Sequence, residues 1–386
     1  MKNYFTLYFV FFFWYACTTR KENNFFPENT YPKFQLNLFE EDQFQWPLTL
    51  TVEDVIHLET SEESILSRLD KVFVSPDEQI IVAIDLTLRK VVIFDQHGNV
   101  LRVLDKKGQG PTEYLHMTDV FVNFDKNTLE VLELKTIQVY DLISLDFLET
   151  ISLAGIKGDI NYIHHVSIDD VYYLWTPIPS EQRKDMIQIT AYNQYHLIRK
   201  ASDTVEYFIP FQFGAPIDDR FYPSARAGEF LLSPILGSST VYSLTKEGIK
   251  PAYDLQFSSN FPSNEELKSY RGNEVEFLTN NSFKFLTNFS ETDKHLYFQF
   301  LGGEFYYHAL VDKEEERIIS IGKQSDFRVK IVATSGSYFY CYIFPSVYHR
   351  LKEEGKLAKD HPLLRYVHVN QVDRDDNPIV IRFSLD

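Results

Sequence analysis

Cysteine is nearly absent from this chain: of 386 residues, only Cys17 and Cys341 carry a thiol. No Cys-x-x-Cys pair exists, and once Cys17 is modified no disulfide can form, even in an oxidising compartment. Missing too are a G-x-S-x-G elbow, an H-E-x-x-H helix and a Walker sequence, so nothing local marks a nucleophile, a zinc protease or a nucleotide site. Basic residues are few, 38 against 55 acidic, for a net charge of −17. That balance keeps a large chain soluble and argues against nucleic acid or anionic lipid as the main partner, leaving local basic patches open. A sustained 3.6-residue apolar period is lacking, which argues against helical repeats.

Long hydrophobic runs are also scarce. The longest, Tyr4 to Ala16, is interrupted only by Thr6 and follows a single charge at Lys2. Its thirteen residues span roughly 20 Å as a helix, short of the ~30 Å hydrocarbon core, so residues 1–16 read as a signal peptide. Ala16 before Cys17 has the form of a lipobox, which makes Cys17 the lipid-attachment residue and the membrane a partner through that anchor. Cleavage there leaves 37 basic and 55 acidic residues, net −18. Residues 17–47, polar and aromatic without a period, read as a tether, in part draped on the domain that follows.

What the chain has in quantity is short β-type runs. KVFVSPDEQIIVAID (71–85) and KVVIFDQHGNVLRVL (90–104) form one set, and DVFVNFDKNTLEVLEL (119–134) and IQVYDLISLDFLETISL (137–153) a second. Val, Ile, Leu, Phe and Tyr runs separated by Asp, Asn, Gly and Pro clusters are consecutive antiparallel strands. Val72 to Val120 and Asp77 to Asp125 are both 48 residues apart, and Phe94 to Tyr140 is 46. Four strands per period in the high forties is the signature of a β-propeller blade. Between the sets lies KKGQGPTEY (106–114). Gly108 and Gly110 are expected to take positive φ, Pro111 to fix an extended turn, and Glu113 and Tyr114 to complete a structural connector rather than a phosphate cradle.

The stretches IHLETSEESILSRLDKVFVSPDEQIIVAID and VVIFDQHGNVLRVLDKKGQGPTEY, together with the closing DDNPIVIRFSLD, resemble the six-bladed β-propeller lipoproteins abundant in Bacteroides and its relatives. In that family a G-x-G-P-x-E-(F/Y) connector follows the first blade and a D-N-P turn precedes the last strand. The match runs from about Val55 to the C-terminus; Thr112 stands where the family often has glycine. The resemblance implies an all-β, six-bladed propeller of four-stranded antiparallel blades and an outer-membrane lipoprotein of the cell envelope. Most of the family has no assigned activity. Basic Arg20 and Lys21 do not match the acidic signal that sends many such lipoproteins outside, so the periplasmic and surface faces both stay open.

The remaining units extend the ring over residues 48–386. Leu48 to Leu58 alternates as a half-buried strand and is expected to complete the last blade. A third unit is placed at 160–199 with two strands in MIQITAYNQYHLIRK, a fourth at 207–257 with a turn at Lys246 to Gly248, a fifth at 282–321, and a sixth from Val329. Tyr192 to Tyr242, 50 residues, continues the period. Ser263 and Glu266 have capping-box spacing and predict a short helix. Ser346 to Val369 reads as a second helical insertion, anchored by Leu351 and Leu357 and stopped by Pro362.

Candidate chemistry is sparse. His164 and His165, with Asp169 and Asp170 behind them, are the densest metal-capable cluster, but adjacent strand residues point to opposite faces. One histidine is therefore expected inside a blade and one at the surface. Asp85, Asp95 and Asp141 recur after strands, where turn capping is the expected role. Cys341, among strand aromatics, reads as core. Aromatics make up 16% of the chain, and those that break the strand pattern, with neighbouring arginines, are the ligand-binding candidates: Arg89, Trp175, Arg220, Tyr222 and Arg226, with Phe221 beside them. No metal site and no cofactor is predicted. The function expected is a binding module for a small molecule, a glycan or a protein. The rival is a metal-dependent hydrolase or lyase with calcium in the central channel.

Overall fold

The computed structural model describes residues 31–38, 42–47, 49–154, 156, 162–176, 195–202, 204–210, 221–234, 238–263, 266, 269, 276, 280, 282–303, 305–323, 330–356, 362–365, 367 and 372–385. Two strands, β1 (Lys33–Leu36) and β2 (Leu50–His57), precede the first blade. Blade 1 comprises β3 (Lys71–Val74), β4 (Ile80–Asp85), β5 (Lys90–Asp95) and β6 (Val100–Leu104), and blade 2 comprises β7 (Asp119–Asn123), β8 (Thr128–Glu133), β9 (Thr136–Asp141) and β10 (Phe147–Ser152). Blade 3 is β11 (His164–Ile168), β12 (Val171–Trp175), β13 (Tyr195–Ala201) and β14 (Thr204–Pro210), and blade 4 is β15 (Phe221–Pro223), β16 (Phe230–Leu232), β17 (Thr240–Leu244) and β18 (Ile249–Phe257). Blade 5 holds β19 (Phe283–Glu291), β20 (His295–Gly302), β21 (Phe305–Asp312) and β22 (Arg317–Lys323). Blade 6 holds β23 (Lys330–Ser335), β24 (Tyr338–Ile343) and, after helix α1 (Pro345–Glu353), β25 (Ile379–Leu385). The six antiparallel sheets form a ring, so the fold is the expected six-bladed β-propeller.

The ring closes where expected: β2 pairs antiparallel with β25, from Leu50 opposite Leu385 to His57 opposite Ile379. The D-N-P turn locks this joint. Asn377, buried, donates from Nδ2 to the carbonyls of Glu59 and Ser64 at 2.8 and 3.1 Å and accepts the Leu66 amide at 2.8 Å. A side chain with donors and an acceptor on one planar group suits a site where three backbone atoms of another segment must be satisfied away from water.

Between blades the packing is apolar. Val82, Val91 and Ile93 of blade 1 meet Val120, Val131 and Tyr140 of blade 2 in one continuous cluster. Residues 31–38 and 42–47, from the second half of the expected tether, lie on the ring: β1 adds a fifth, parallel strand to blade 4, beside β18. Phe34 and Leu36 are buried there, worth about 1.5–3 kcal/mol each in transfer free energy. Phe44 and Trp46 pack over Tyr297, with Phe44 also against His308 and Trp46 against Phe383.

The turns obey local chemistry. Asp85 accepts from the amides of Ser67, Arg68 and Leu88, Asp95 from those of His97 and Asn99, and Asp141 from those of Ile143 and Ser144, which is the capping role expected. Ser263 and Glu266 form the reciprocal capping box. Cys341 is buried, and burial raises its thiol pKa.

Three expectations need correction. Blade 3 does not end at Arg199: TVEYFIP forms its outer strand β14, and blade 4 opens only at Phe221. MIQITAYN, with Tyr192, lies outside the described residues, and YHLIRKA supplies the third strand of the blade. Helix α1 ends at Glu353 with Gly355 at φ +64, an αL cap, before Pro362 is reached; Leu351 is buried as expected, and Leu357 lies outside the described residues. Finally, Gly108 and Gly110 are not among the residues with positive φ. Their need for glycine is spatial: a Cβ on Gly108 would sit 1.8 Å from Glu113 Oε2, and one on Gly110 3.0 Å from it.

Candidate ligand pocket in the propeller channel

The innermost strands of all six blades run in the same sense, from the mouth carrying Lys71, His164 and Lys330 towards the turns at 123–128 and 224–229. Part-way down, Phe73 of blade 1, Phe121 of blade 2 and Phe230 of blade 4 interlock edge to face, with centroids 5.9 and 5.4 Å apart. This geometry is favourable for aromatic quadrupoles. Phe121 and Phe230 border two cavities. Above them is a cavity of about 340 Å3 with walls from every blade: Phe73, Phe121, Val166, Tyr222, Asn288 and Ile331 come from blades 1 to 6 in turn. Below lies a second of about 430 Å3, bordered by Asn123 to Lys126, Ser167 to Asp169 and Arg226 to Phe230.

The upper cavity owes its shape to β19, whose register with β20 shifts twice, between Lys284 and Thr287 and between Thr287 and Ser290. Phe285 and Asn288 take φ of +58 and +52 at those points, and asparagine tolerates that conformation better than most residues. The bulges bring Thr287 Oγ1 within 2.8 Å of the Tyr222 hydroxyl, which also accepts the Asn288 amide at 2.9 Å. Blades 4 and 5 are thus joined at the cavity wall. Further out, the Tyr297 hydroxyl is hydrogen-bonded to His308 Nδ1, and burial pushes the pKa of His308 down to about 3, so it is neutral.

Opposite stands a buried polar bridge between blades 1, 2 and 3. Asp119 Oδ2 lies 3.1 Å from His165 Nδ1 and accepts the His165 backbone amide at 2.8 Å, while Lys71 Nζ approaches Oδ1 at 2.5 Å. On the far side of the imidazole, Glu130 Oε2 is 3.5 Å from Nε2, and Glu130 Oε1 accepts the Ser167 hydroxyl at 2.7 Å. Burial opposes charge on both partners. For Asp119 it is overcome by Lys71 and by hydrogen bonds from the histidines, which hold its carboxyl well below the usual range. For His165, burial is overcome by hydrogen bonds to Asp119 and Glu130, and its pKa is raised. His164 is partly exposed at the rim, 3.9 Å from Asp119 Oδ1. Asp169 and Asp170 sit at the opposite end of β11, ion-paired with Lys246 and Lys126 at 2.8 and 2.7 Å. Among the described residues, no group of three or more His, Cys, Asp or Glu side chains is arranged to hold a metal ion.

The sequence-derived ligand candidates therefore scatter. Tyr222 lines the upper cavity, as does Phe221, and Arg226 borders the lower one, paired to Glu229 at 3.1 Å. Trp175 is buried within blade 3. Arg89 is half-buried, its Nη1 donating to the Leu115 carbonyl at 2.6 Å. It belongs with the connector: Tyr114, fully buried, donates its hydroxyl to the Arg89 carbonyl at 2.8 Å, and Glu113 accepts the Gly110 amide at 2.8 Å. Arg220 and Cys17 lie outside the described residues. Lys71, Asp119, Glu130 and Lys330 went unread because each is an ordinary strand residue locally and acquires its role only when blades converge.

These features define a six-bladed propeller with a pocket in its channel, floored by three interlocked phenylalanine rings. The chain belongs to the family described as "Domain of unknown function (DUF4934)", which matches residues 52–384. Among solved structures it is similar to a "Putative exported protein" of Bacteroides fragilis, at 14% identity over 92% of this chain and 100% of that one, with a TM-score of 0.72. A member of the DUF4221 family from Bacteroides vulgatus matches at 11% identity over 89% and 99%, with a TM-score of 0.55. No curated protein matches the chain.

Proposed function

We propose that this protein is an exported, lipid-anchored propeller of the cell envelope that binds a ligand or partner at the upper mouth of its channel. The observation that carries the reading is the cavity of about 340 Å3, to which every blade contributes wall residues. Pockets of this size take small molecules or a single inserted side chain, and a closed ring holds the walls rigid while the connecting loops are free to vary. Export and anchoring rest on the apolar run of residues 4–16 and on Cys17, and gain support from the solved Bacteroides fragilis relative described as exported. The test is a thermal-shift and calorimetric screen of the full chain against a variant, Thr334→Trp, that fills the cavity from β23. Ligands lost in the variant support the reading; ligands bound equally by both overturn it. For the anchor, Cys17→Ala is expected to move the chain from the detergent-soluble membrane fraction to the aqueous one.

A further inference from the structure

We propose that the ligand of the upper pocket is a small organic anion: an apolar, ring-bearing body seated on the three phenylalanine rings, with its carboxylate at the rim against Lys330. This rests on the pocket being a binding site, and the observations that refine it are of charge and hydrogen-bonding capacity. The floor is apolar, with Phe73, Phe121 and Phe230 meeting edge to face. Several polar groups around it are paired with one another, while the Asn288 side-chain nitrogen is buried without a hydrogen-bond partner. Tyr222 and Thr287 share a hydrogen bond, His165 lies between Asp119 and Glu130, and His308 is hydrogen-bonded to Tyr297. A polyhydroxylated body would lose water at many hydroxyls and find few replacements there, a cost that an apolar body does not meet.

The rim differs from the floor. Lys71 and Lys330 begin the inner strands of blades 1 and 6, which pack side by side, and both border the cavity. Lys71 is paired with Asp119 at 2.5 Å, and Asp70, the carboxylate beside it, with Arg68 at 2.7 Å. Lys330 is exposed and has no ionic partner among the described residues. An exposed cation with no ionic partner among the described residues, at the mouth of a pocket with an apolar floor, favours a negative group there.

The experiment is isothermal titration of the full chain with 3-phenylpropanoate and with its uncharged amide, for the wild type, Lys330→Ala, Lys330→Arg and Thr334→Trp. The expected result is preferential binding of the acid, weakened about tenfold by Lys330→Ala, kept by Lys330→Arg, and lost in Thr334→Trp; the amide should be indifferent to position 330. Lys330 is exposed, so its variants should fold, which circular dichroism checks. Equal binding of acid and amide, no binding of the acid, or no effect of Lys330→Ala overturns the anion proposal. If other screened ligands still bind wild type and are lost in Thr334→Trp, the pocket reading survives that failure. If Thr334→Trp changes no ligand, the pocket reading itself fails.

Discussion

Replacing Asp119 by asparagine should be among the most costly conservative changes in this protein, and its cost should depend on pH in a defined direction. Asp119 is fully buried and faces His165 at 3.1 Å and Lys71 at 2.5 Å. Removing one partner of a buried, hydrogen-bonded ion pair strands the other charge, at about 3–5 kcal/mol. Unfolding entropy of about 2.1 cal/mol/K per residue makes 1 kcal/mol worth roughly 1–1.5 °C in a body of this size, so Tm should fall by about 4–7 °C. The sign follows from the two shifts. His165 has a raised pKa, so its contribution is complete below the unfolded value of about 6.5 and is lost as pH rises through the folded one. Asp119 has a lowered pKa, so its contribution is complete above about 3.9 and is lost only as pH falls through its depressed folded value. Wild-type stability should therefore be greatest in the mildly acidic window between the two unfolded values and decline on the alkaline side. In Asp119→Asn the alkaline decline should flatten, because His165 loses the partner that raises its pKa. Calorimetric scans at half-unit steps from pH 5 to 9 measure this. Parallel Tm-versus-pH curves for the two proteins would refute the bridge as a coupled ionic unit.

Three further outcomes follow from packing. Asn377→Ala removes the partner of the Ser64 carbonyl and of the Leu66 amide and one of the two donors to the Glu59 carbonyl, and should cost about 2–4 kcal/mol, with limited proteolysis cutting first within residues 59–66. Gly108→Ala drives a methyl group into the Glu113 carboxylate and should destabilise by about 1–3 kcal/mol; chemical denaturation of Gly108→Ala/Glu113→Ala should recover part of that loss, and full additivity would argue against the contact. Cys341 is buried with a raised thiol pKa, so Ellman's reagent should leave it unmodified in the native protein and react with it on unfolding.

Blades 1 and 2 were legible because their strands are short apolar runs bounded by Asp, Asn and Gly, and each signal is local. The boundary of blades 3 and 4 was not: YFIPFQFG reads equally as the end of one blade or the start of the next, and only the pairing of Leu197 with Phe208 and Ile198 with Tyr207 decides it. The pocket was legible at Phe221 and Tyr222. His164 and His165 were judged by strand alternation, which separates them correctly as rim and interior, but Asp119 lies 46 residues before His165 and Lys71 a further 48 before that. Such convergence depends on one blade period separating each inner strand from the next, which leaves no trace in any single segment.

The closing joint also orders events in time. β2 is made early, yet its partner β25 lies some 330 residues later in the chain. At about 5–20 residues per second of synthesis, β2 waits on the order of tens of seconds with its backbone amides and carbonyls unpaired. Until the final strand arrives, every earlier blade is part of an open arc with two raw sheet edges, and each edge is an invitation to another unfinished copy. A chain cut short before Ile379 would remain in that state permanently, which makes the last seven-residue strand the point at which the molecule stops being adhesive to its own kind.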